Sequence, residues 1–155
     1  MDTLLTNKAS RESEKEYVSY GISASWRQGD WERLKKFVIM PHKPTFETLL
    51  GSTFHSFFSN DNRSLESKVN DAFKELTTSH LDTYDRGYES YVKLHIFQEM
   101  ASICHIYDQL NFSGDSMEME TLFRSWDQRL EITRPSIRYR ELILNTRIAI
   151  LNILT

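Results

Sequence analysis

The sequence predicts an all-α protein with about seven helices, and three observations support this fold class. The 155 residues include only five glycines and three prolines, which are too few for the turns of a many-stranded β protein. Apolar residues recur at helical spacing along most of the chain, and no segment shows sustained alternation of apolar and polar residues. Short polar segments separate the helical patterns, so neighbouring helices are expected to lie antiparallel and to form stacked hairpins.

The first two helices are expected to form a hairpin with a tight turn. The first helix is predicted over about residues 10–28. Its expected buried face consists of three residues spaced by four: Val18, Ile22 and Trp26. Gly29 is expected to end this helix, and Asp30 is a suitable N-cap for the second, which is predicted to reach residue 40 before a proline forbids continuation.

The third helix, over residues 45–58, has the clearest apolar stripe in the chain. The stripe contains six large residues: Phe46, Leu49, Leu50, Phe54, Phe57 and Phe58. Burial of such a side chain stabilises by roughly 1.5–3 kcal/mol, so this face is expected to be covered, either by the core or by a docked segment. Ser64 is expected to cap a fourth helix. Its apolar face would contain Leu65, Val69, Phe73, Leu76 and either His80 or Leu81.

Three further helices are predicted, and the hairpins together suggest a solenoid. The fifth helix, residues 84–110, is expected to have this inner face: Tyr88, Tyr91, Val92, His95, Ile96, Ile103 and Tyr107. Residues 111–117 are predicted to form a loop. The sixth helix, residues 118–131, would present Leu122, Phe123, Trp126 and Leu130. The seventh, residues 136–153, would present Ile137, Leu144, Ile148 and Leu151. Hairpins of about 30–45 residues are typical of TPR-like or HEAT-like α-solenoids, although no residue signature repeats at that period.

Composition and charge exclude several classes of protein. With 19 Lys and Arg against 22 Asp and Glu, the formal charge is −3, whereas a general nucleic-acid binder is usually strongly basic. The sequence shows no signal peptide and no apolar stretch of about 20 residues to span a bilayer. The single cysteine, Cys104, favours a reducing compartment. We therefore expect no direct contact with nucleic acid or membrane, and a cytosolic or nuclear location.

No combination of residues predicts a catalytic, metal or cofactor site. His95 and His105 are ten residues apart, which is not the i, i+4 spacing of a zinc-binding pair. Cys104 adjoins His105, but adjacent helical residues point about 100° apart, so an inert thiol is favoured over a nucleophile. Asp127 and Glu131 are interleaved with arginines, which favours a solvated helix face over an acid–base pair. The five glycines are at least eight residues apart, so no phosphate-binding loop is expected.

One cluster of basic residues is a candidate partner contact. Arg134, Arg138 and Arg140 follow one another into the seventh helix. Guanidinium groups can bind a partner's acidic segment through paired hydrogen bonds. The same groups can instead pair internally, with Glu131, Glu141 and free carbonyls at the helix ends, and this structural interpretation is the favoured one.

Three segments resemble a known family. Residues 86–100 read RGYESYVKLHIFQEM, residues 126–151 read WDQRLEITRPSIRYRELILNTRIAIL, and residues 24–38 read ASWRQGDWERLKKFV. In this order and spacing they resemble the helical FAT region of the ATR-type checkpoint kinases, a branch of the phosphatidylinositol-3-kinase-related kinases. Leu142 and Thr146 depart from the family pattern, which often has proline and arginine there.

The resemblance implies a function for the chain. Residues 1–155 would be part of one FAT-type helical repeat region, without a kinase domain, in a large serine/threonine kinase of DNA-damage checkpoint signalling. This region would support the kinase domain and contact neighbouring repeats and an ATR-type partner subunit. The parent would be nuclear and would use ATP and a divalent metal, whereas this chain would hold no cofactor of its own.

Two alternatives remain open at the level of sequence. A stand-alone helical adaptor for protein–protein interaction would have the same composition and helical pattern. A small independent enzyme is the least favoured alternative, because no constellation of residues supports one.

Overall fold

The computed structural model describes the backbone of residues 2–78, 84–113 and 116–154. Side chains are described from residue 12 onward, apart from 79–84, 86, 104, 107–116, 118 and 155. The helices are α1 (Asp2–Gln28), α2 (Trp31–Ile39), α3 (Phe46–Phe58), α4 (Asn62–Thr78), α5 (Tyr84–Ser113), α6 (Ser116–Ile132) and α7 (Ile137–Leu154). The described residues contain these seven helices and no strand, which confirms the all-α prediction. Within the same residues, no helix has the length and apolar character that crossing a membrane requires.

The helices form two layers that we name by their numbering. In the odd-numbered layer, α1 packs on α3, α3 on α5 and α5 on α7, and α1 also contacts α7. In the even-numbered layer, α2 packs on α1 and α3, α4 packs on α3 and α5, and α6 packs on α5. Because the connections are short, consecutive helices are antiparallel. The predicted stack of helical hairpins, similar to a TPR-like or HEAT-like α-solenoid segment, is confirmed.

Local capping signals set several helix ends: Gly29 and Asp30 act as predicted, whereas Thr45, predicted as the first residue of the third helix, is its N-cap. Gly29 follows α1 with a φ of +70°, a left-handed conformation that glycine adopts without strain. The Asp30 carboxylate accepts a hydrogen bond of 3.0 Å from the backbone N–H of Arg33 and thereby caps α2. Thr45 caps α3 through a reciprocal pair of bonds with Thr48. Each of these helix ends is set by residues that are close to it in the sequence.

Three predicted boundaries are wrong. α1 begins at Asp2 instead of residue 10, because four of residues 2–9 (Leu4, Leu5, Lys8 and Ala9) are good helix formers and Asp2 suits the N-terminal end. α4 begins at Asn62, because Asp61 takes the capping role expected of Ser64: its carboxylate accepts a 3.1 Å hydrogen bond from the backbone N–H of Ser64. The predicted loop over residues 111–117 is mostly helix, with residues 111–113 in α5 and 116–117 in α6.

The core confirms most of the predicted faces of α1, α3 and α4. Val18, Ile22 and Trp26 of α1 are buried, and Trp26 stacks on Phe54 of α3 with ring centroids 5.2 Å apart. In α3, Leu50, Phe54 and Phe57 are buried and Phe46 and Leu49 are partly buried. Phe58 is an exception, 45% exposed beside Trp31. In α4, Leu65, Val69 and Leu76 are buried and Phe73 partly so; residues 80 and 81 lie outside the described part.

The predicted faces of the last helices need correction. In α5, Val92, Ile96 and Ile103 are buried as expected, but Tyr91 is 50% exposed, and the side chain of Tyr107 is outside the described part. In α6, Leu122 and Trp126 are buried and Leu130 is partly buried, but Phe123 is exposed. The predicted face of α7 is wrong throughout: Ile137, Leu144, Ile148 and Leu151 are all exposed. The buried residues of α7 are Tyr139, Ile143, Thr146, Arg147, Ala149 and Ile150.

We predict that Gly51→Ala destabilises the fold by about 1–3 kcal/mol, although alanine is the better helix former. A Cβ on Gly51 of α3 would collide with the side chain of Ile22 on α1, where the two helices meet. Urea denaturation followed by circular dichroism measures the loss. Gly87→Ala is the matched control, because nothing lies within 4 Å of the added Cβ. The control is expected to be neutral or stabilising; an equal loss in both variants would contradict the close packing of α1 on α3.

Candidate protein-contact site

The arginine cluster lies at the connection between α6 and α7. The connection is short, from residue 133 to residue 136, and Pro135 lies within it. The carbonyl of Ser136 accepts hydrogen bonds from the backbone N–H groups of Tyr139 (3.2 Å) and Arg140 (3.1 Å), so Ser136 precedes the first turn of α7. This geometry places Arg134 in the connection, and Arg138 and Arg140 in the first turn of α7.

Arg134 is held against α5 by its backbone and its side chain. Its backbone N–H donates a hydrogen bond of 2.8 Å to the hydroxyl of Tyr88. Its guanidinium group lies 4.6 Å from the centroid of the Tyr88 ring and 3.3 Å from the Asp85 carboxylate. Tyr88 in turn meets Tyr139 edge-on, with centroids 4.9 Å apart. The aromatic pair therefore fixes where the connection crosses α5.

Arg138 also pairs with α5. Its guanidinium group donates a hydrogen bond of 2.7 Å to the Glu89 carboxylate, whose other oxygen accepts one of 2.7 Å from Lys93. The hydrogen bond from Lys93 is the main cause that lowers the pKa of Glu89; partial burial opposes it, and the positive charges of Lys93 and Arg138 add to it. The Arg138 side chain remains 69% exposed. Its guanidinium group is therefore accessible to a partner.

Arg140 has an internal role. It donates a hydrogen bond of 2.9 Å to the carbonyl of Thr133, just after the end of α6. The expectation that arginines pair with helix-end carbonyls is met at this residue. Glu131 and Glu141 were the expected acidic partners of the cluster. Instead, Arg134 pairs with Asp85 and Arg138 with Glu89, both on α5. Glu141 lies 3.5 Å from Arg27 of α1.

A buried ion pair lies behind this cluster and was not predicted. Arg147 donates hydrogen bonds of 2.9 and 2.6 Å to the two oxygens of Glu99, and a third of 2.8 Å to the carbonyl of Trp126. The side chains of Arg147 and Glu99 are only 8% and 3% exposed. The guanidinium group also lies over the Trp126 ring, 5.1 Å from its centroid. This group of three residues, which we call the Arg147 clamp, joins α5, α6 and α7.

The sequence carried one signal for Glu99. It follows Ile96 by three residues and precedes Ile103 by four, so it lies on the buried stripe of α5. A carboxylate at such a position must be paired, since an unpaired buried charge is strongly unfavourable. Its partner had no local signal, because Arg147 is 48 residues away along the chain.

The remaining candidates for chemistry do not assemble into a site. Among the described side chains, no group of three or more His, Cys, Asp or Glu residues is placed to hold a metal ion. Burial lowers the pKa of His95, and the positive charge of Arg129 lowers it further against the effect of Glu99, so the ring is neutral at pH 7. Asp127 and Glu131 are exposed, as a solvated helix face requires. The side chain of Cys104 is outside the described part.

This geometry defines a class of protein, an all-α stack of helical hairpins whose described ion pairs mainly join one helix to another. The FAT domain family model matches residues 19–155. The chain therefore belongs to the FAT domain family.

The curated relatives identify the branch of that family. The chain is 24% identical over 161 residues to the serine/threonine-protein kinase ATR of Oryza sativa, in both subspecies indica and japonica, a match that covers 92% of the chain. It is 22% identical over 156 residues to the kinase of that name from Arabidopsis thaliana, which covers 88% of the chain. In each case the chain spans about 6% of the relative's length. No solved structure matches significantly. The resemblance to the FAT region of ATR-type kinases is confirmed.

We predict that Glu99→Gln destabilises the protein by about 3–5 kcal/mol, because it leaves the buried Arg147 guanidinium group without a counter-charge. Urea denaturation measures the change. Glu120→Gln is the matched control: Glu120 pairs with Arg124 at 3.1 Å, but both side chains are about 70% exposed, so the expected loss is below about 1 kcal/mol.

The double variant Glu99→Met with Arg147→Leu completes this experiment. Replacement of both charges by apolar side chains of similar volume is often neutral, so the double variant is expected to recover most of the stability. A double variant as unstable as Glu99→Gln would contradict the assignment of that loss to an unpaired buried charge.

Proposed function

We propose that the chain is a non-catalytic scaffold segment of an ATR-like serine/threonine protein kinase in DNA-damage checkpoint signalling. In this proposal residues 1–155, including those before the family match, are part of one FAT-type helical repeat region without a kinase domain. The Arg147 clamp is the observation that carries the scaffold role. A nearly buried ion pair that joins three helices stabilises one arrangement of them, and the three hydrogen bonds from Arg147 are all internal.

The parent kinase's activity lies elsewhere in its chain. A protein kinase needs ATP and divalent metal, held by carboxylates and a glycine-rich loop. The described side chains do not provide a fitting set of metal ligands, and the glycines are widely separated in the sequence. ATP and metal are therefore assigned to a kinase domain of the parent, which this segment positions.

We propose the cellular role and the partners by similarity to the relatives. Those relatives are named as serine/threonine-protein kinase ATR, and this name supports a nuclear location and a checkpoint role for the parent. We propose that the segment contacts the kinase domain, neighbouring helical repeats and a partner subunit of the ATR type, without contact to nucleic acid or membrane. The arginine cluster is the candidate surface for one of these protein contacts, and Arg138 is its most exposed ion-paired member.

The scaffold role is tested in the full-length kinase that contains this segment. Glu99→Gln is expected to reduce phosphorylation of a checkpoint target after DNA damage by several-fold, because a destabilised scaffold positions the kinase domain poorly. Glu99→Met with Arg147→Leu is expected to restore activity, since it restores packing without the charges. Full activity of the Glu99→Gln kinase at normal abundance would contradict the scaffold role, and so would a stable 155-residue chain that acts as an adaptor without any kinase.

The partner contact is tested with a matched pair of arginines. Arg138→Gln in the full-length kinase is expected to weaken association with the partner subunit about tenfold, the effect of one charged hydrogen bond. Arg124→Gln is the control, because Arg124 is equally exposed and is also ion-paired, with Glu120 at 3.1 Å, but lies outside the cluster. Co-purification and the melting temperature are measured together. Equal retention of the partner by both variants would show that the cluster is purely structural.

A further inference from the structure

A groove of about 440 Å³ runs between α6 and α7, and its lining is mainly apolar. The lining residues that matter here are Phe123, Trp126, Leu130, Leu144, Ile148 and Leu151. Of these, Ile148 is 56% exposed, Leu144 42% and Leu151 38%. Contiguous exposed apolar surface of this kind marks a place where another structure binds.

The spacing of these residues fits a helix as the occupant. On α7, Leu144, Ile148 and Leu151 follow at i, i+4 and i+7, which gives one continuous ridge. On α6, Phe123 and Leu130 lie two turns apart on the opposite wall. Two parallel ridges with an apolar floor accept the ridge of a third helix.

The layer arrangement indicates which helix belongs there. In the odd-numbered layer, α3 is covered by both α2 and α4, and α5 is covered by both α4 and α6. The outward face of α7 has only the open groove beside α6. The family match continues through residue 155, and the relatives are far longer than this chain. A further even-numbered helix, antiparallel to α7, would complete the pattern.

Charge at the groove adds a requirement for the occupant. Asp127 lines the groove and is exposed, whereas the positive charge of Arg147 is already neutralised by Glu99. The wall formed by α6 therefore has an acidic rim. A lysine or arginine beside the occupant's apolar stripe would complement it.

We propose that the α6–α7 groove is the docking surface for the amphipathic helix that follows α7 in the parent kinase, with a Leu, Ile or Phe stripe against Leu144, Ile148 and Leu151 and a basic residue opposite Asp127. This inference rests on the proposed function, because it requires the longer parent chain.

The test compares the 155-residue chain with a longer chain that includes the next 30 or so residues of the parent. Ile148→Ser is expected to leave the melting temperature of the shorter chain unchanged, because the side chain is already exposed there. It is expected to lower that of the longer chain by several degrees, because the side chain is then buried. Asp127→Lys is likewise expected to lower the melting temperature of the longer chain and to leave that of the shorter chain unchanged. Ile39→Ser, at a residue of α2 that is 73% exposed, is the control and is expected to be silent in both chains.

Three outcomes would overturn the proposal. The first is an equal response to Ile148→Ser in both chains. The second is a dimer of the shorter chain, seen by sedimentation, that Ile148→Ser dissociates, because a second copy would then be the occupant. The third is that Ile148→Ser does not raise the rate of amide hydrogen exchange in α6 and α7 of the full-length kinase. This measurement gives an answer even if the shorter chain does not fold. If Ile148→Ser has no effect in the longer chain while Glu99→Gln still lowers kinase activity, only the docking helix is rejected. If Glu99→Gln leaves kinase activity unchanged, the scaffold role is rejected.

Discussion

The Arg147 clamp is the interaction that fixes the last third of the fold. Its charges are tolerable in the interior because Nε and Nη2 of Arg147 donate three hydrogen bonds, two to the Glu99 carboxylate and one to the carbonyl of Trp126. These bonds leave α7 one rotational setting against α5 and α6. Ile143, Ile150 and Tyr139 lie about 40–80° to one side of Arg147 around the helix, and Leu151, Leu144 and Ile148 about 40–100° to the other. The first group is buried and the second is exposed.

This constraint explains why the apolar pattern of α7 predicted the wrong face. Two apolar stripes flank Arg147, and periodicity alone does not rank them. The choice depends on a carboxylate 48 residues away on α5, which no local pattern reveals. The same holds for Arg134 and Arg138: their grouping was predictable from their closeness in sequence, but their partners Asp85 and Glu89 are each 49 residues away. Local sequence thus locates the charged residues, and tertiary packing decides how they pair.

Helix existence and most helix ends, by contrast, were accessible from the sequence. Gly29, Asp30 and Thr45 act through bonds to residues within a few positions, so their effects are local. Prediction failed where two local signals competed. Asp61 and Ser64 are both good N-caps, and the carboxylate three residues earlier takes the role. The loop expected at residues 111–117 was inferred from composition, yet five of those residues continue the flanking helices.

The helices α3 and α4 differ in how many of their faces are buried. α4, in the even-numbered layer, buries a single stripe of Leu65, Val69, Ala72 and Leu76, with Phe73 partly buried beside it, and its other residues are polar. α3, in the odd-numbered layer, is buried nearly all round, and its small residues Gly51, Ser52 and Ser56 let neighbours approach on several sides. α7 has apolar residues on two faces, but only the face with Tyr139, Ile143 and Ile150 is buried, whereas Leu144, Ile148 and Leu151 are exposed. Since a helix that is apolar on two faces is stable only when both are covered, its sequence indicates a position inside a longer stack.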